Sequence, residues 1–360
     1  MRVFVNPSGQ RENLGDSVLR RAYLNELRAC GELHVLAGEH PSYVSGLGLR
    51  PEDRIYESKR EWLIEALRHS RREKSVFAVN AGEVVTGRNY VATFAWQMAL
   101  AQSVRQGDGA TIAMGIANRE HPALTRSLLR QFARSADLVT WRDAEAASAF
   151  GVGAVQPDWA TVLGRSNVEL AGDSAARHRV VITLRGDREQ PDATWFAAVE
   201  QAVRDMGSPE VVAVVQVMRD TERARELAKR FGGTTLEWPQ ERSHADHEEV
   251  LRDLYRTSRA VISDRIHALI IGMTEGAAPI GFTPHSAQKV SKTFGVIAAS
   301  TPAWSSKTTD MTPSDHAARI VETTEQHDVL LAEISGARSR LEAASARLRH
   351  VVVGTVHSTA

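Results

Sequence analysis

Apolar residues fall along this chain in two alternating rhythms. Short runs at Arg2–Val5, Leu33–Leu36, Ser75–Val79, Thr111–Gly115 and Asp137–Trp141 have the length and composition of buried strands. Between them, apolar residues recur at helical spacing. In Ser17–Ala29 the residues Val18, Leu19, Tyr23, Leu24 and Leu27 share one face, and Glu61–His69, Val91–Arg105, Leu124–Arg134 and Ala144–Phe150 follow the same rule. Strand–helix alternation predicts a parallel sheet covered by helices. The rhythm stops at Arg165–His178, which is polar, mixed in charge and without period, and reads as a linker. It resumes with strands at Arg179–Leu184 and Val211–Gln216 and helices at Asp192–Met206, Thr221–Arg230 and Asp246–Thr257. The predicted architecture is α/β: two doubly wound Rossmann-like domains facing across a cleft, at residues 1–165 and 166–312, followed by a long C-terminal helix and tail at 313–360.

The tail has its own pattern. Thr312-Pro313-Ser314-Asp315 carries an N-cap Thr, a Pro at the first helical position and an early acidic residue. Ile320, His327, Ile334, Leu341 and Leu348 then recur at heptad spacing, with Leu330, Ala337, Ala344 and Val351 on a second seam. Two readings are open: a helix packed on its own chain, or the seam of a homodimer. Gly336 and the alanines weaken a freestanding coil.

Composition narrows the function classes. Lys plus Arg equals Asp plus Glu at 44 each, so no bulk attraction draws the chain to nucleic acid or membrane. With 360 residues and one cysteine, Cys30, the chain has size for two cores and no disulfide framework. Cys30 reads as a buried helix thiol. The N-terminus reads as a strand rather than a signal peptide, and no apolar run has the length of a transmembrane segment. The expectation is a cytoplasmic protein, free or peripheral to the inner face of a membrane.

The most informative stretch is Ser263-Asp264-Arg265-Ile266-His267 running to Gly272, between the apolar runs Ala260-Val261-Ile262 and Pro279-Ile280-Gly281-Phe282. This reads as strand, polar turn, apolar helix, strand. In an open α/β sheet such a turn lies at the carboxyl end of a strand, where ligands bind. Arg265 and His267 are suited there to an anion and a proton. Arg185, in Thr183-Leu184-Arg185-Gly186-Asp187, ends another strand, although alone it is more often a surface residue. Asn13-Leu14-Gly15-Asp16 opens a helix after the first strand, where caps are commoner than anion sites. Arg142, in Trp141-Arg142-Asp143, lies one short helix before Pro157-Asp158, which favours a structural ion pair, while Asp143 suits a helix cap. His244 and His247 mimic a metal cluster, but Asp246, Glu248 and Glu249 are what a helix N-terminus prefers, so no metal site is expected. Gly46-Leu47-Gly48 and Gly107-Asp108-Gly109 make no dinucleotide fingerprint. Lys289 follows Phe282 in a post-strand loop and would add charge to the Arg265 corner.

Four of these stretches, in this order and spacing, resemble the polysaccharide pyruvyltransferase family: Asn13–Asp16, Trp141–Asp143 with Pro157-Asp158, Leu184-Arg185, and Ser263–Ile270 running to Lys289-Val290. They span roughly the first four fifths of the chain. The resemblance implies a fold like glycosyltransferases of the two-Rossmann-domain (GT-B) type. It implies transfer of the enolpyruvyl group of phosphoenolpyruvate to two hydroxyls of a sugar or glycan, free or lipid-linked, with release of phosphate and no further cofactor. It makes Arg185 and His267 the catalytic pair. Arg265, the Ile266 backbone, Ser263 and Lys289 become donor-binding neighbours, and Asn13, Gly15, Asp16 and Arg142 an anion or acceptor site. The chain departs from the family at Asn80-Ala81-Gly82-Glu83, where a glycine-rich segment is usual, and around Pro284-His285-Ser286, where an aromatic residue is. Two other readings stay open: a metal-independent GT-B glycosyltransferase using a nucleotide sugar, and a non-catalytic scaffold dimerising through the heptads.

Overall fold

The computed structural model of this protein describes all residues but 85–89, 119–122, 173–176, 302, 309 and 355–360, and omits the Lys289 side chain. The chain divides into two compact units. One comprises Met1–Gln10, Asp16–Trp159 and Ser339–Ala360, the other Arg11–Gly15 and Ala160–Arg338.

The first unit is built on an eight-stranded sheet. Its strands are β1 (Arg2–Val5), β2 (Glu32–Leu36), β3 (Arg54–Tyr56), β4 (Ser75–Val79), β5 (Gly82–Glu83), β6 (Ala110–Ala117), β7 (Leu138–Trp141) and β8 (Ala154–Val155). They lie in the order β3-β2-β1-β4-β6-β7-β8, with β5 paired to β6, and every pairing is parallel. Parallel strands are buried on both faces, which is why β1 and β4 are near-continuous apolar runs. Phe4, Trp62, Phe77, Trp141 and Phe150 anchor the core.

The second unit has a six-stranded sheet in the order β11-β10-β9-β12-β13-β14. These are β9 (Arg179–Thr183), β10 (Glu210–Val214), β11 (Thr234–Leu236), β12 (Ser258–Ser263), β13 (Ala278–Thr283) and β14 (Ala303–Ser305), again all parallel. Counted within the unit this is the Rossmann order 3-2-1-4-5-6, with its reversal between β9 and β12. Trp195 stacks on Phe282 at 6.0 Å and donates its indole N–H to the Phe282 carbonyl at 3.1 Å, fixing the helix Ala193–Asp205 on the sheet.

Several expectations change. The segment read as a linker holds a short helix, Asn167–Ala171, closed by a Ser166–Glu169 capping box. The short strands β3, β11 and β14 have too few residues to declare themselves in the sequence, and the post-strand loop expected at Lys289 is the helix Gln288–Ile297, whose buried Val290, Phe294 and Ile297 recur at helical spacing. The tail is two helices, Pro313–Glu325 and His327–Gly354, interrupted at Gln326. Thr312 and Asp315 form the capping box at its start. Ile320, Ile334, Ala337, Leu341 and Leu348 are all fully buried by the chain's own elements, so this stripe is internal packing rather than an open dimer seam. The compact units divide the long helix between them at Arg338 and Ser339, and the tail forms no third body.

Candidate functional site

The reversal point of the second sheet brings the ends of β9 and β12 side by side, with Thr183 and Ser263 in register. Ser263 is completely buried there. Its hydroxyl donates to the Thr183 carbonyl at 2.7 Å and accepts the Arg265 N–H at 2.8 Å. Ser263 therefore shapes the turn, and its hydroxyl is engaged by backbone on both sides. Asp264 accepts the Arg185 N–H at 3.0 Å, joining the two strand ends. Burial raises the Asp264 pKa, against the pull of Arg265. The helix Ile266–Thr274 begins directly after this turn, and its buried first residue, Ile266, presents one of the amides that has no acceptor within the helix.

Three arginines meet three aspartates at this corner. Arg265 grips Asp220 with two hydrogen bonds, Nε to Oδ2 at 2.9 Å and Nη2 to Oδ1 at 2.7 Å. Asp220 is buried and also accepts the Gly186 N–H at 2.7 Å. Arg185 grips Asp187 in the same fork, at 2.8 and 2.7 Å. That hydrogen bonding raises the Arg185 pKa and holds Asp187 well below the usual carboxylate range. Arg219 Nη1 lies 3.9 Å from Asp187 Oδ2, the oxygen that Arg185 Nη2 also holds. The side chain of Gly186 is absent for a reason: a Cβ there would lie 2.8 Å from the Arg219 carbonyl, so the β9 and β10 ends could not approach. The corner is cationic in its residues yet already neutralised by its own carboxylates, which the reading of Arg185 and Arg265 as open cations did not foresee.

His267, half-buried, is the second residue of the corner helix. Gly15 passes against it so closely that a Cβ on Gly15 would sit 2.3 Å from Nδ1 and 2.5 Å from Cβ of His267. The segment bearing Gly15 is fixed locally. Asn13 bridges to Val217, the Leu14 N–H donates to the Gln216 carbonyl at 3.2 Å, and the Met218 N–H donates to the Glu12 carbonyl at 2.9 Å. The Asn13 side chain accepts the Gly15 N–H at 3.2 Å, capping the helix Leu14–Arg28. Two motifs 250 residues apart in sequence, Asn13–Gly15 and Ser263–His267, thus meet in one unit.

Asp16 belongs to the first unit, where it accepts the Gln10 N–H at 2.7 Å and pairs with Arg20 at 2.9 Å. Arg142 is buried and pairs with the buried Asp158 at 2.6 Å, the structural ion pair that its sequence spacing favoured. Asp143 caps its helix through the Ala146 N–H at 2.7 Å. Lys289 lies in the helix Gln288–Ile297 and its side chain is outside the described residues. His244 and His247 are buried and turn their Nε2 atoms to separate backbone carbonyls, of Arg11 at 2.6 Å and Val215 at 2.7 Å. Among the described residues no group of three or more His, Cys, Asp or Glu converges as a ligand set. Arg219, Asp220 and Asp187 were missed. A signal existed: three strands of the second half each end within a few residues of an Arg/Asp couple, at Arg185/Asp187, Arg219/Asp220 and Asp264/Arg265.

No known protein family's sequence model matches this chain, and no curated protein matches it. Solved structures do match over the whole chain. Alpha,alpha-trehalose 6-phosphate synthase from Burkholderia multivorans is 11% identical with TM-score 0.54, covering 100% of this chain and 99% of that one. The fold is that of GT-B glycosyltransferases. A UDP-glucose:anthocyanidin 3-O-glucosyltransferase in complex with UDP gives 10% identity and TM-score 0.54, covering 98% of this chain and 99% of that one. Anabaena HepE in complex with UDP gives 11% and 0.55, with the same coverages. At such identities the likeness concerns the fold. No described helix is long and apolar enough to cross a membrane.

Proposed function

We propose that this GT-B protein is a metal-independent glycosyltransferase that takes a nucleoside diphosphate sugar as donor and a sugar or glycan hydroxyl, free or lipid-linked, as acceptor. The observation that carries the reading is the corner between β9 and β12. It gathers Arg185, Arg219 and Arg265 beside the start of the helix Ile266–Thr274, at the reversal point of a sheet where this fold places ligands. Guanidinium groups and helix-end amides stabilise the charge that builds on a departing diphosphate. Two of the similar structures hold UDP, which supports a nucleotide donor. In this reading Arg185 and Arg265 line the donor phosphates, with Ile266 and Lys289 as neighbours, and His267 is the acid–base group.

Pyruvyl transfer from phosphoenolpyruvate is the second reading. The meeting of Gly15 with His267 favours it, because it unites two of the stretches that resemble the pyruvyltransferase family. The scaffold reading keeps its support in the departure at Asn80–Glu83, but the heptad seam it called on is buried by its own chain. Incubation with a panel of nucleotide sugars and with phosphoenolpyruvate, each beside glycan acceptors, tests the choice. Acceptor-dependent release of nucleoside diphosphate is the expected result. Phosphate release from phosphoenolpyruvate selects the second reading, and turnover of neither donor sinks both.

A further inference from the structure

The two arginine–aspartate forks at the corner differ in a way that separates a permanent pair from a temporary one. Asp220 is 1% exposed and is held by the Gly186 N–H as well as by Arg265. Removing it would leave the largely buried Arg265 guanidinium, 11% exposed, without its partner, so this pair is structural. The side chain of Asp187 is 36% exposed, that of Arg185 22% and that of Arg219 41%. Exposed pairs of this kind contribute little to stability. The backbone around Asp187 is nevertheless fixed: the buried Arg223 donates to the carbonyls of Arg188 at 3.0 Å and Glu189 at 3.2 Å, directly after it. Asp187 can therefore leave Arg185 by rotating its side chain, with no movement of the loop.

From this we infer that Arg185 and Arg219 form an oxyanion-binding clamp for a phosphate or diphosphate group, and that the Asp187 carboxylate is its resident occupant, displaced when the ligand arrives. The geometry matches the chemistry. A carboxylate and a phosphate present the same pair of oxygens to a guanidinium fork. Asp187 Oδ1 and Oδ2 sit 2.8 and 2.7 Å from Arg185, and Oδ2 lies 3.9 Å from Arg219, so an anionic oxygen already stands within reach of both cations. A ligand phosphate carries more charge than one carboxylate and can draw Arg219 fully in. Arg219 becomes a binding residue that the sequence alone did not single out, and Asp187 becomes a built-in competitor that weakens anion binding and keeps the clamp closed to weaker anions. The inference rests on the reading of this corner as the donor-phosphate site, but not on the identity of the donor.

Calorimetric titration of the full-length protein with inorganic pyrophosphate tests it. Asp187→Asn, with Asp187→Ser as a second variant and thermal melting to establish that each is folded, is expected to bind pyrophosphate about threefold to fivefold more tightly than the wild type. Arg219→Gln is expected to weaken binding at least threefold and to lower its salt dependence. Unchanged or weaker binding by both folded Asp187 variants, or no loss in Arg219→Gln, overturns the inference. A parallel titration with UDP keeps the two proposals apart. If pyrophosphate behaves as expected but UDP binds no better than pyrophosphate, the clamp stands and the nucleotide donor falls. If UDP binds tightly and the Asp187 variants make no difference to either ligand, the donor stands and the clamp falls.

Discussion

Glycine 15 decides where His267 can be. Any other residue would place a Cβ 2.5 Å from the His267 Cβ, a position the imidazole cannot relieve by rotation. Gly15→Ala is expected to displace His267, lowering turnover at least tenfold and costing about 1–3 kcal/mol in a urea melt. Normal turnover in a folded Gly15→Ala variant would remove His267 from the chemistry. Elsewhere a buried histidine sets a pH limit. His247 stacks on Trp238 at 4.5 Å, and burial, aided by Arg242 and His244, lowers its pKa from 6.5 to about 4. The folded protein keeps this ring neutral where the unfolded chain protonates it. Its contribution is thus whole above pH 6.5 and is lost as the pH falls toward 4, by up to about 1.4 kcal/mol per unit. Urea midpoints measured from pH 7 to pH 4.5 should fall more steeply for the wild type than for His247→Gln, and equal slopes would show that His247 does not titrate on unfolding. Neither residue's role was legible in the sequence. Gly15 looked like an ordinary turn glycine, and His247 was set aside as a metal ligand with no sign that its Nε2 would face the Val215 carbonyl in a buried site.

Elements were more legible than sites. The apolar runs of β1, β4 and β9 announce strands because parallel strands bury both faces, and the Thr312-Pro313-Ser314-Asp315 start was readable because a cap is a local device. In that cap the Thr312 hydroxyl accepts the Asp315 N–H at 3.2 Å and Asp315 accepts the Thr312 N–H at 2.8 Å. Thr312→Ala should cost about 0.5–2 kcal/mol in chemical denaturation. The heptads were readable as a stripe, but not as to what covers it. Leu348 is wholly buried by its own chain. Leu348→Ala is therefore expected to cost about 2–5 kcal/mol, independent of protein concentration. A loss that shrinks as concentration rises would restore the dimer seam, because association adds stability by mass action. The short strands β11 and β14, of three residues each, gave no signal, since they are strands only by pairing with longer neighbours.

At the scale of the whole molecule, the alternation of strand and helix determined two doubly wound α/β units, because burying a parallel sheet needs that alternation and nothing finer. The sequence also marked the corner at Ser263–His267, because a polar turn between two apolar runs in such a sheet has one place to be, at a carboxyl end. A ligand for this corner should act on the folded state as a whole: a nucleoside diphosphate at 100 times its dissociation constant is expected to add about 2.7 kcal/mol and raise the melting temperature, and phosphoenolpyruvate at the same concentration to do less. Only the tertiary structure decided the partners. The strand order set β9 beside β12, and so Arg185 beside Asp264. It brought the segment at Asn13–Gly15 to the second unit, with Gly15 against His267, 252 residues further along the chain. It gave Arg185 and Arg265 each a carboxylate of its own, Asp187 and Asp220. Periodicity reports which face of an element is buried, a property of neighbours in sequence. Which charges meet depends on strand order and close approach, which belong to residues far apart in the chain.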